Sequence, residues 1–186
     1  MVETPLLITA RLTLRPWITL DAPSVNRWCG SPLCTKYLFW YPHRSLEVTE
    51  KIVSKWVRKK RNYSWAIVYD GQAIGEVEVI KNLPHDGVEI GYILRDDFWG
   101  QGLMSEALEG VLAHLREIGK AYCYAETDER NIPSRRLLER LGFQYLGLEE
   151  GRFVAKKNEK VNIAKFQKTL IVSVLSSEEK ETSKNR

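Results

Sequence analysis

The sequence is poor in residues that bind metals or form disulfides. It has three cysteines, Cys29, Cys34 and Cys123, and no CxxC pair. Its three histidines are scattered along the chain, so no group of His and Cys residues has the spacing of a metal site. An odd number of unpaired cysteines predicts buried free thiols in a reducing compartment, without a metal.

Signals for export or membrane insertion are also missing. The stretch MVETPLLITARLTLRPW has no basic region followed by an apolar core, and no apolar run approaches the length of a membrane span. The formal net charge of +4 helps an anionic ligand to approach but is too small to favour nucleic acid as a partner. We therefore expect a cytoplasmic protein that acts on neither membranes nor nucleic acid.

What remains is the composition of an ordinary globular domain. The 186 residues are 44% hydrophobic and 28% charged, and no repeat or linker divides them. We expect one domain over residues 1–175. The polar sequence SSEEKETSKNR has nothing to bury, so residues 176–186 are expected to be a frayed tail.

The hydrophobic pattern predicts an α/β protein with six to seven strands and about four helices. Asp70-Gly71 between two alternating segments is a hairpin signal, and Gly142 is expected in the left-handed conformation after a helix. Strands are predicted at 11–17, 64–70, 72–80, 88–94, 120–127, 143–150 and 161–170. Helices are predicted from Asp21, and over 45–60, 102–118 and 131–141.

The stretch FWGQGLMSEALEGVLAHL, residues 98–115, places glycines where a helix begins. The first N–H groups of a helix have no intrahelical partner, and glycine permits an anion to approach them closely. A phosphate cradle has this layout, in which a strand is followed by a glycine-rich turn, here Gly100-Gln101-Gly102, and then by a helix. Two glycines also suit a simple tight turn. The chain has no GxxxxGK[ST], and Ser105 replaces the third glycine of GxGxxG, which excludes two common cradles.

Four motifs in order resemble the GNAT acetyltransferase superfamily. RDDFWGQGLMSEAL resembles its coenzyme A diphosphate loop, and NIPSRRLLERLGF resembles the Asn-x-x-Ser…Gly-Phe stretch of its RimJ/RimL-like branch, which acetylates protein N-termini. LTLRPW and EIGYIL stand where that branch has its first and fourth strands. One position departs from the family pattern, since Asp97 replaces the leading Arg or Gln of the loop, and we expect its side chain to point away from the anion.

This resemblance implies a GNAT fold, with a mixed, mostly antiparallel sheet that splays between the fourth and fifth predicted strands. It also implies acetyl-CoA as the donor and an amine as the acceptor. Carried over, the cofactor-binding residues are main-chain groups of fourth-strand residues, the diphosphate loop and one asparagine: Ile93, Leu94, Arg95, Gly100, Gln101, Gly102, Leu103, Met104, Ser105 and Asn131. The thioester carbonyl would accept from a main-chain N–H near Ile93 or Tyr92.

Two side chains are the predicted catalytic residues. Ser134 stands where the branch has a hydroxyl near the coenzyme sulfur, although a serine there also suits a helix cap. Glu89 is the candidate base for the amine, with Glu76 and Glu78 as alternatives, and each also suits a solvated strand carboxylate.

The acceptor site is expected in the aromatic segment CTKYLFWYPH. Tyr37 and Trp40 are the candidate substrate-binding residues, although such aromatic side chains equally suit a core. The acceptor would be a protein N-terminus or a small amine such as an antibiotic, polyamine or amino acid. The alternatives are a coenzyme A-binding module without catalysis and an RNA binder that uses the basic sequence KWVRKKRN. A homodimer through the last strands is compatible with the sequence.

Overall fold

The computed structural model describes residues 3–59 and 63–171. Within these ranges one sheet contains eight strands: β1 (Leu7–Ile8), β2 (Thr13–Arg15), β3 (Ser64–Tyr69), β4 (Gln72–Leu83), β5 (Gly87–Leu94), β6 (Tyr122–Asp128), β7 (Gln144–Val154) and β8 (Glu159–Thr169). The four α-helices are α1 (Ala22–Cys29), α2 (Leu46–Lys59), α3 (Leu103–Glu117) and α4 (Ile132–Arg140). The predicted tail and the end of the basic sequence after α2 lie outside the described residues.

The sheet order is β1-β2-β3-β4-β5-β6-β8-β7, and neighbouring strands are antiparallel except for β5 and β6. This is the predicted mixed α/β fold with one additional strand, β1. The sequence did not predict β1 because its two residues are too few to form an alternating pattern. The last two strands are longer than predicted, since they form one hairpin that closes at residues 155–158. None of the helices in the described ranges is long and apolar enough to span a membrane.

Local turn signals were reliable guides to the chain's path. Asp70 and Gly71 have φ of 46° and 72°, as a type I′ hairpin between β3 and β4 requires. Gly142, with φ of 80°, follows α4 in the predicted left-handed conformation. The three cysteines are free and buried, as predicted.

The sheet separates two hydrophobic cores. One face packs against α3 and α4 through side chains such as Trp65, Ile90 and Leu108. The opposite face packs against α1 and α2 and includes Trp28 and Ala66. We call these the helix-α3 face and the helix-α1 face; alternation along each strand decides which side chain enters which core.

The predicted splay lies between β5 and β6. Their parallel pairing runs from Gly87–Tyr122 to Ile90–Ala125 and then stops. Beyond that point β5 continues with β4 up to Leu94, while β6 continues with β8 up to Asp128. The strands therefore diverge and leave a gap, which we call the β5–β6 gap, lined by 91–94 on one side and 126–128 on the other.

Candidate active site

A main-chain anion cradle lies at the N-terminus of α3. Gly100 and Gly102 have φ of 74° and 77°, a conformation that favours glycine. The first helical hydrogen bond runs from Glu106 N to Gly102 O at 3.1 Å, so the N–H groups of residues 103–105 precede it and have no intrahelical acceptor. The side chains of Leu103 and Met104 are buried in the core. Only their main-chain groups are therefore placed to meet a ligand.

Hydrogen bonds hold the cradle in place before any ligand arrives. The Trp99 indole N–H donates to Leu94 O at 2.8 Å, which ties the loop to the end of β5. The Gln101 side chain donates to Asp97 O at 3.2 Å, and Gln101 O accepts from Arg11 at 3.0 Å. The loop is thus fixed at both ends and at its centre.

Asp97 points to solvent, as expected. Its side chain is 60% exposed and accepts from Arg95 Nε at 2.6 Å, and this hydrogen bond lowers the pKa of the carboxyl below its ordinary value. Arg95 itself is buried, and its guanidinium lies 4.5 Å from the centre of the Phe98 ring. The Arg95 side chain is therefore committed to the loop's internal structure.

The main-chain polar groups of β5 alternate between β4 and the gap. Arg95 N donates to Ile74 O of β4 at 2.8 Å, while Asp86 O accepts from Ala121 N on the β6 side at 3.0 Å. Odd-numbered residues therefore turn their N–H and C=O groups to β4, and even-numbered residues turn them to β6. This alternation favours Tyr92 and Leu94, rather than Ile93 and Arg95, as the residues whose main chain faces the gap.

Asn131 and Ser134 meet at the start of α4. Asn131 caps the helix, because its Oδ1 accepts from Ser134 N at 3.3 Å. Ser134 is therefore not the cap, and its hydroxyl is hydrogen-bonded to the Tyr92 hydroxyl at 2.8 Å. Burial raises the pKa of Tyr92 well above its ordinary value, so the phenol stays protonated at neutral pH.

The Tyr92 side chain was not among the predicted functional groups. The alternation of β5 signalled that it enters the helix-α3 face, but no local pattern indicated its contact with a helix 42 residues away. The contact joins β5 to α4 at the edge of the gap. It places a two-hydroxyl pair beside the position where the resemblance expects the coenzyme sulfur.

The three candidate bases lie on the helix-α1 face. Cross-strand pairing sets Glu78 opposite Gly91 and Glu76 opposite Ile93. Glu76 accepts from Ser64 Oγ at 2.8 Å, and Ser64 accepts from the Trp17 indole at 2.9 Å. Glu76 is therefore part of a buried polar chain beneath α1.

Glu89 occupies the apex of the gap. It is buried, pairs across the sheet with Tyr124 and forms an ion pair with Lys81 at 2.9 Å. The next pair, Ile90–Ala125, is the last before the strands part. Glu126, two residues beyond Tyr124, is paired with Arg152 and accepts a hydrogen bond from the Tyr124 hydroxyl. Burial acts to raise the pKa of the Glu126 carboxyl, but these two partners lower it below its ordinary value.

The structure separates the two candidate acceptor residues. Tyr37 lies near Asp128, Val154 and Val161, beside the end of β6 that borders the open end of the gap. Trp40 packs against the core between α1 and α2, and its ring lies 5.3 Å from that of His43. Tyr37 is thus placed at the gap, whereas Trp40 supports the loop from behind.

The loop that carries Tyr37 contacts the β7–β8 turn. Lys157 Nζ donates to Lys36 O at 2.7 Å and to Thr35 O at 3.1 Å, and burial lowers its pKa. Asp128, at the end of β6, accepts from Arg130 Nε at 2.9 Å. Within the described residues, no three His, Cys, Asp or Glu side chains gather as a metal site would require.

Comparison with known proteins agrees with this architecture. The model of the acetyltransferase (GNAT) domain matches residues 11–144. An uncharacterized protein of Methanocaldococcus jannaschii is 28% identical over 140 residues, which are 73% of this chain and 28% of that protein. The chain thus spans about a quarter of that relative. An uncharacterized N-acetyltransferase, p20, of Bacillus licheniformis is 27% identical over 149 residues, which cover 76% of this chain and 84% of p20.

Solved structures show the same fold. A GNAT-family acetyltransferase from Bacillus anthracis superposes with a TM-score of 0.80 at 20% identity, over 89% of this chain and 99% of that one. An acetyltransferase of Salmonella typhimurium, described as modifying the N-terminal serine of ribosomal protein L7/L12, superposes with a TM-score of 0.73 at 20% identity over the same shares. The family match covers more than half of the chain. The chain therefore belongs to the GNAT acetyltransferase family, whose members are acetyl-CoA-dependent N-acetyltransferases.

Proposed function

We propose that the protein transfers the acetyl group of acetyl-CoA to the α-amine of a protein N-terminus, by direct attack within a ternary complex. The observation that carries the proposal is the β5–β6 gap, which has an anion cradle at one end and a hydroxyl pair at its edge. A bound acetyl-CoA supplies the activated acyl group. The remaining work of positioning, charge stabilisation and proton transfer belongs to this chain's own residues.

Binding of the donor falls to the main chain. The N–H groups of Leu103, Met104 and Ser105 suit the diphosphate, because the helix dipole adds to their unsatisfied donors. Main-chain groups of Tyr92 and the N–H of Leu94 suit the pantetheine arm, since the alternation of β5 turns them into the gap; the Leu94 carbonyl accepts from Trp99. Asn131 holds the start of α4 and with it the position of Ser134.

Catalysis needs a donor for the departing thiolate. Ser134 fills this role in the proposal, because its hydroxyl lies at the gap and is oriented by Tyr92. The proposal assigns Tyr92 as the donor of this hydrogen bond, which leaves the Ser134 proton for the sulfur. The proposal assigns stabilisation of the developing oxyanion to the main-chain N–H of Tyr92.

Deprotonation of the incoming amine falls to Glu89. This carboxylate lies at the apex of the gap on the helix-α1 face, opposite the face that carries Tyr92 and Ser134. The amine and the thiolate are therefore served from different sides. Lys81 pairs with Glu89 at 2.9 Å and fixes the position of its carboxyl group.

The protein N-terminus is favoured as acceptor by the open end of the gap. Tyr37 lies there and offers its ring to an incoming peptide chain, while Asp128 at the end of β6 is buried and held by Arg130. The fold of the Salmonella acetyltransferase, which modifies a ribosomal-protein N-terminus, is the same. A loop-built, open acceptor side accommodates a chain end more readily than an enclosed pocket does.

The test is an acceptor panel. Purified protein is incubated with acetyl-CoA and peptides that have a free N-terminus, the same peptides with a blocked N-terminus, or small amines, and release of free thiol is followed. We expect turnover with free N-termini alone and a mass increase at the α-amine. Turnover only with small amines would overturn the acceptor, and no binding of acetyl-CoA would overturn the activity.

Tyr37→Ala sharpens the test. We expect the KM for the peptide to rise about tenfold, the effect of losing one good contact, with the KM for acetyl-CoA unchanged. Tyr41→Ala is the matched control, since that ring belongs to the same loop and is 60% exposed. Equal effects of the two substitutions would argue against a specific role of Tyr37.

A further inference from the structure

The diphosphate loop carries the wrong charge for its ligand. Residues 96–106 include Asp96, Asp97 and Glu106 and contain no lysine or arginine. Arg95, just before them, is buried and paired with Asp97. The segment therefore brings no positive side chain of its own to a diphosphate, and it places one carboxylate, that of Glu106, on the first turn of α3.

A cation reaches the loop from a distant part of the chain. Arg11 lies in the turn between β1 and β2, and its Nη1 donates to Gln101 O at 3.0 Å. Its Nε donates to Glu106 Oε2 at 2.6 Å, 95 residues along the chain. The Arg11 main-chain N–H donates to the other oxygen of the same carboxylate at 2.7 Å. Arg11 is thus fixed on the first turn of α3 by three hydrogen bonds.

These contacts use Nε and Nη1 of the guanidinium and leave its third nitrogen, Nη2, beside the cradle. Nη2 has no hydrogen-bond acceptor within residues 3–59 and 63–171. It lies 3.6 Å from the position that a Cβ on Gly102 would occupy, and within 4 Å no other atom approaches that position. The side chain remains 45% exposed, so a ligand at the glycine can reach it.

Glu106 explains how the guanidinium is held. Its side chain is 14% exposed and also accepts from Thr9 Oγ1 at 2.6 Å. Burial acts to raise the pKa of this carboxyl, but the bonds from Thr9 and Arg11 lower it below the ordinary value. Glu106 therefore stays charged and orients Arg11, and Arg11 in turn neutralises the carboxylate nearest to the anion site.

We infer that Arg11 is a diphosphate-binding residue, which supplies through Nη2 the positive charge that the loop's own segment lacks. This inference rests on the proposed binding of acetyl-CoA. It assigns Nη2 to a phosphate oxygen of the coenzyme. Planar guanidinium groups suit such contacts, because they donate directionally and keep their charge at all working pH values.

The test is calorimetry of coenzyme A with the wild type and Arg11→Gln. We expect binding to weaken about 10- to 100-fold, as for the loss of a hydrogen bond to a charged group. Arg116→Gln is the matched control, because it removes the same charge from the opposite, exposed end of α3. Its affinity should equal that of the wild type.

Two further variants separate ligand contact from support of the fold. Arg11→Gln combined with Glu106→Gln keeps the net charge and leaves no unpaired buried carboxylate, and we expect it to bind at least about tenfold more weakly than the wild type. Arg11→Lys keeps the positive charge but lacks the planar guanidinium group, so its affinity for coenzyme A should lie between those of Arg11→Gln and the wild type. Added salt should weaken wild-type binding more steeply than that of Arg11→Gln.

The acyl donor provides a second readout. For S-acetylpantetheine, which ends before the diphosphate, kcat/KM should be the same in the wild type and in Arg11→Gln. An equal loss with both donors, or wild-type affinity of the double variant, would overturn the role of Arg11 alone. Failure of the wild type to bind coenzyme A would overturn the proposed function together with it.

Discussion

The two sides of the β5–β6 gap present different kinds of chemical groups. On the donor side, α3 and α4 present helix termini and main-chain groups, and their apolar side chains are buried in the larger core. On the proposed acceptor side, the loop between α1 and α2 contacts the β7–β8 turn through the Lys157 amine, which donates to the main-chain carbonyls of Thr35 and Lys36. The donor side is therefore defined by backbone geometry and the acceptor side by individual side chains.

This difference matches what each side has to recognise. A coenzyme common to a whole family is bound by groups that every residue possesses, provided that the backbone follows the right path. An acceptor that differs between relatives is bound by side chains, which change with few consequences for the fold. Substitutions that change the backbone conformation or the charge should accordingly weaken binding on the donor side. Substitutions that remove side chains should weaken binding on the acceptor side.

The largest effect is expected from Gly102→Glu on the donor side. A residue with a side chain resists the left-handed conformation at Gly102, and the new carboxylate repels phosphate. We expect the affinity for coenzyme A, measured by calorimetry, to fall more than about 100-fold, which is close to 3 kcal/mol.

Gly119→Glu is the control for this substitution. Gly119 has φ of 81° beyond the opposite end of α3, and a Cβ there would meet no atom within 4 Å. The substitution Gly119→Glu imposes a comparable backbone strain and adds the same charge, but far from the cradle. If both variants lost affinity equally, the effect would be one of stability, and the cradle would not be the cause.

A smaller effect is expected from Ser134→Ala, at the boundary between the two sides. Removal of the hydroxyl takes away the proposed proton donor to the thiolate, so kcat should fall about 100-fold, the lower end for acid catalysis. The affinity for coenzyme A should stay within about twofold, since the diphosphate contacts are untouched. Stopped-flow thiol release and calorimetry measure the two quantities.

Tyr92→Phe shows whether Ser134 acts with its partner. This variant leaves the serine but removes the hydroxyl that lies 2.8 Å from it. We expect an intermediate fall in kcat, because the serine loses its orientation and keeps its proton. A variant with unchanged kcat would mean that Ser134 needs no orientation by Tyr92.

The smallest effect is expected from Asp128→Asn on the acceptor side. Burial acts to raise the pKa of Asp128, but hydrogen bonds from Arg130 lower it below 3.8. A carboxyl whose folded pKa is depressed stabilises the fold above its unfolded pKa, and this contribution is lost as pH falls. We expect Tm at pH 7 to drop by about 2–4 °C in the variant. The difference should shrink as pH falls through the lowered pKa of Asp128, because the carboxyl then becomes protonated in the folded wild type as well.

Scanning calorimetry across this pH range checks the prediction. Glu109→Gln, an exposed carboxylate on α3, is the comparison and should change Tm little at either pH. A difference for Asp128→Asn that persisted at low pH would show that packing, and not the charge of Asp128, is lost.

Much of the donor side was predictable from the sequence because its signals are local. The left-handed Gly142, the Asp70-Gly71 hairpin and the start of α3 after Gly102 each follow from neighbouring residues. The splay between β5 and β6 was expected only from the resemblance, since no single-strand pattern reveals where two strands stop pairing. The preference for Tyr92 over Ile93 as the residue whose main chain faces the gap rests on hydrogen bonds to β4 and to the β6 side, which a single strand's sequence does not reveal.

The sequence by itself determined the α/β class, most helices and strands, and the glycine cradle, because short-range periodicity and backbone preference encode them. The tertiary structure decided which distant side chains meet. It brought Arg11 to Glu106 and Tyr92 to Ser134. Each of these contacts depends on how strands and helices are arranged in space, and no local pattern records the partner of a side chain dozens of residues away.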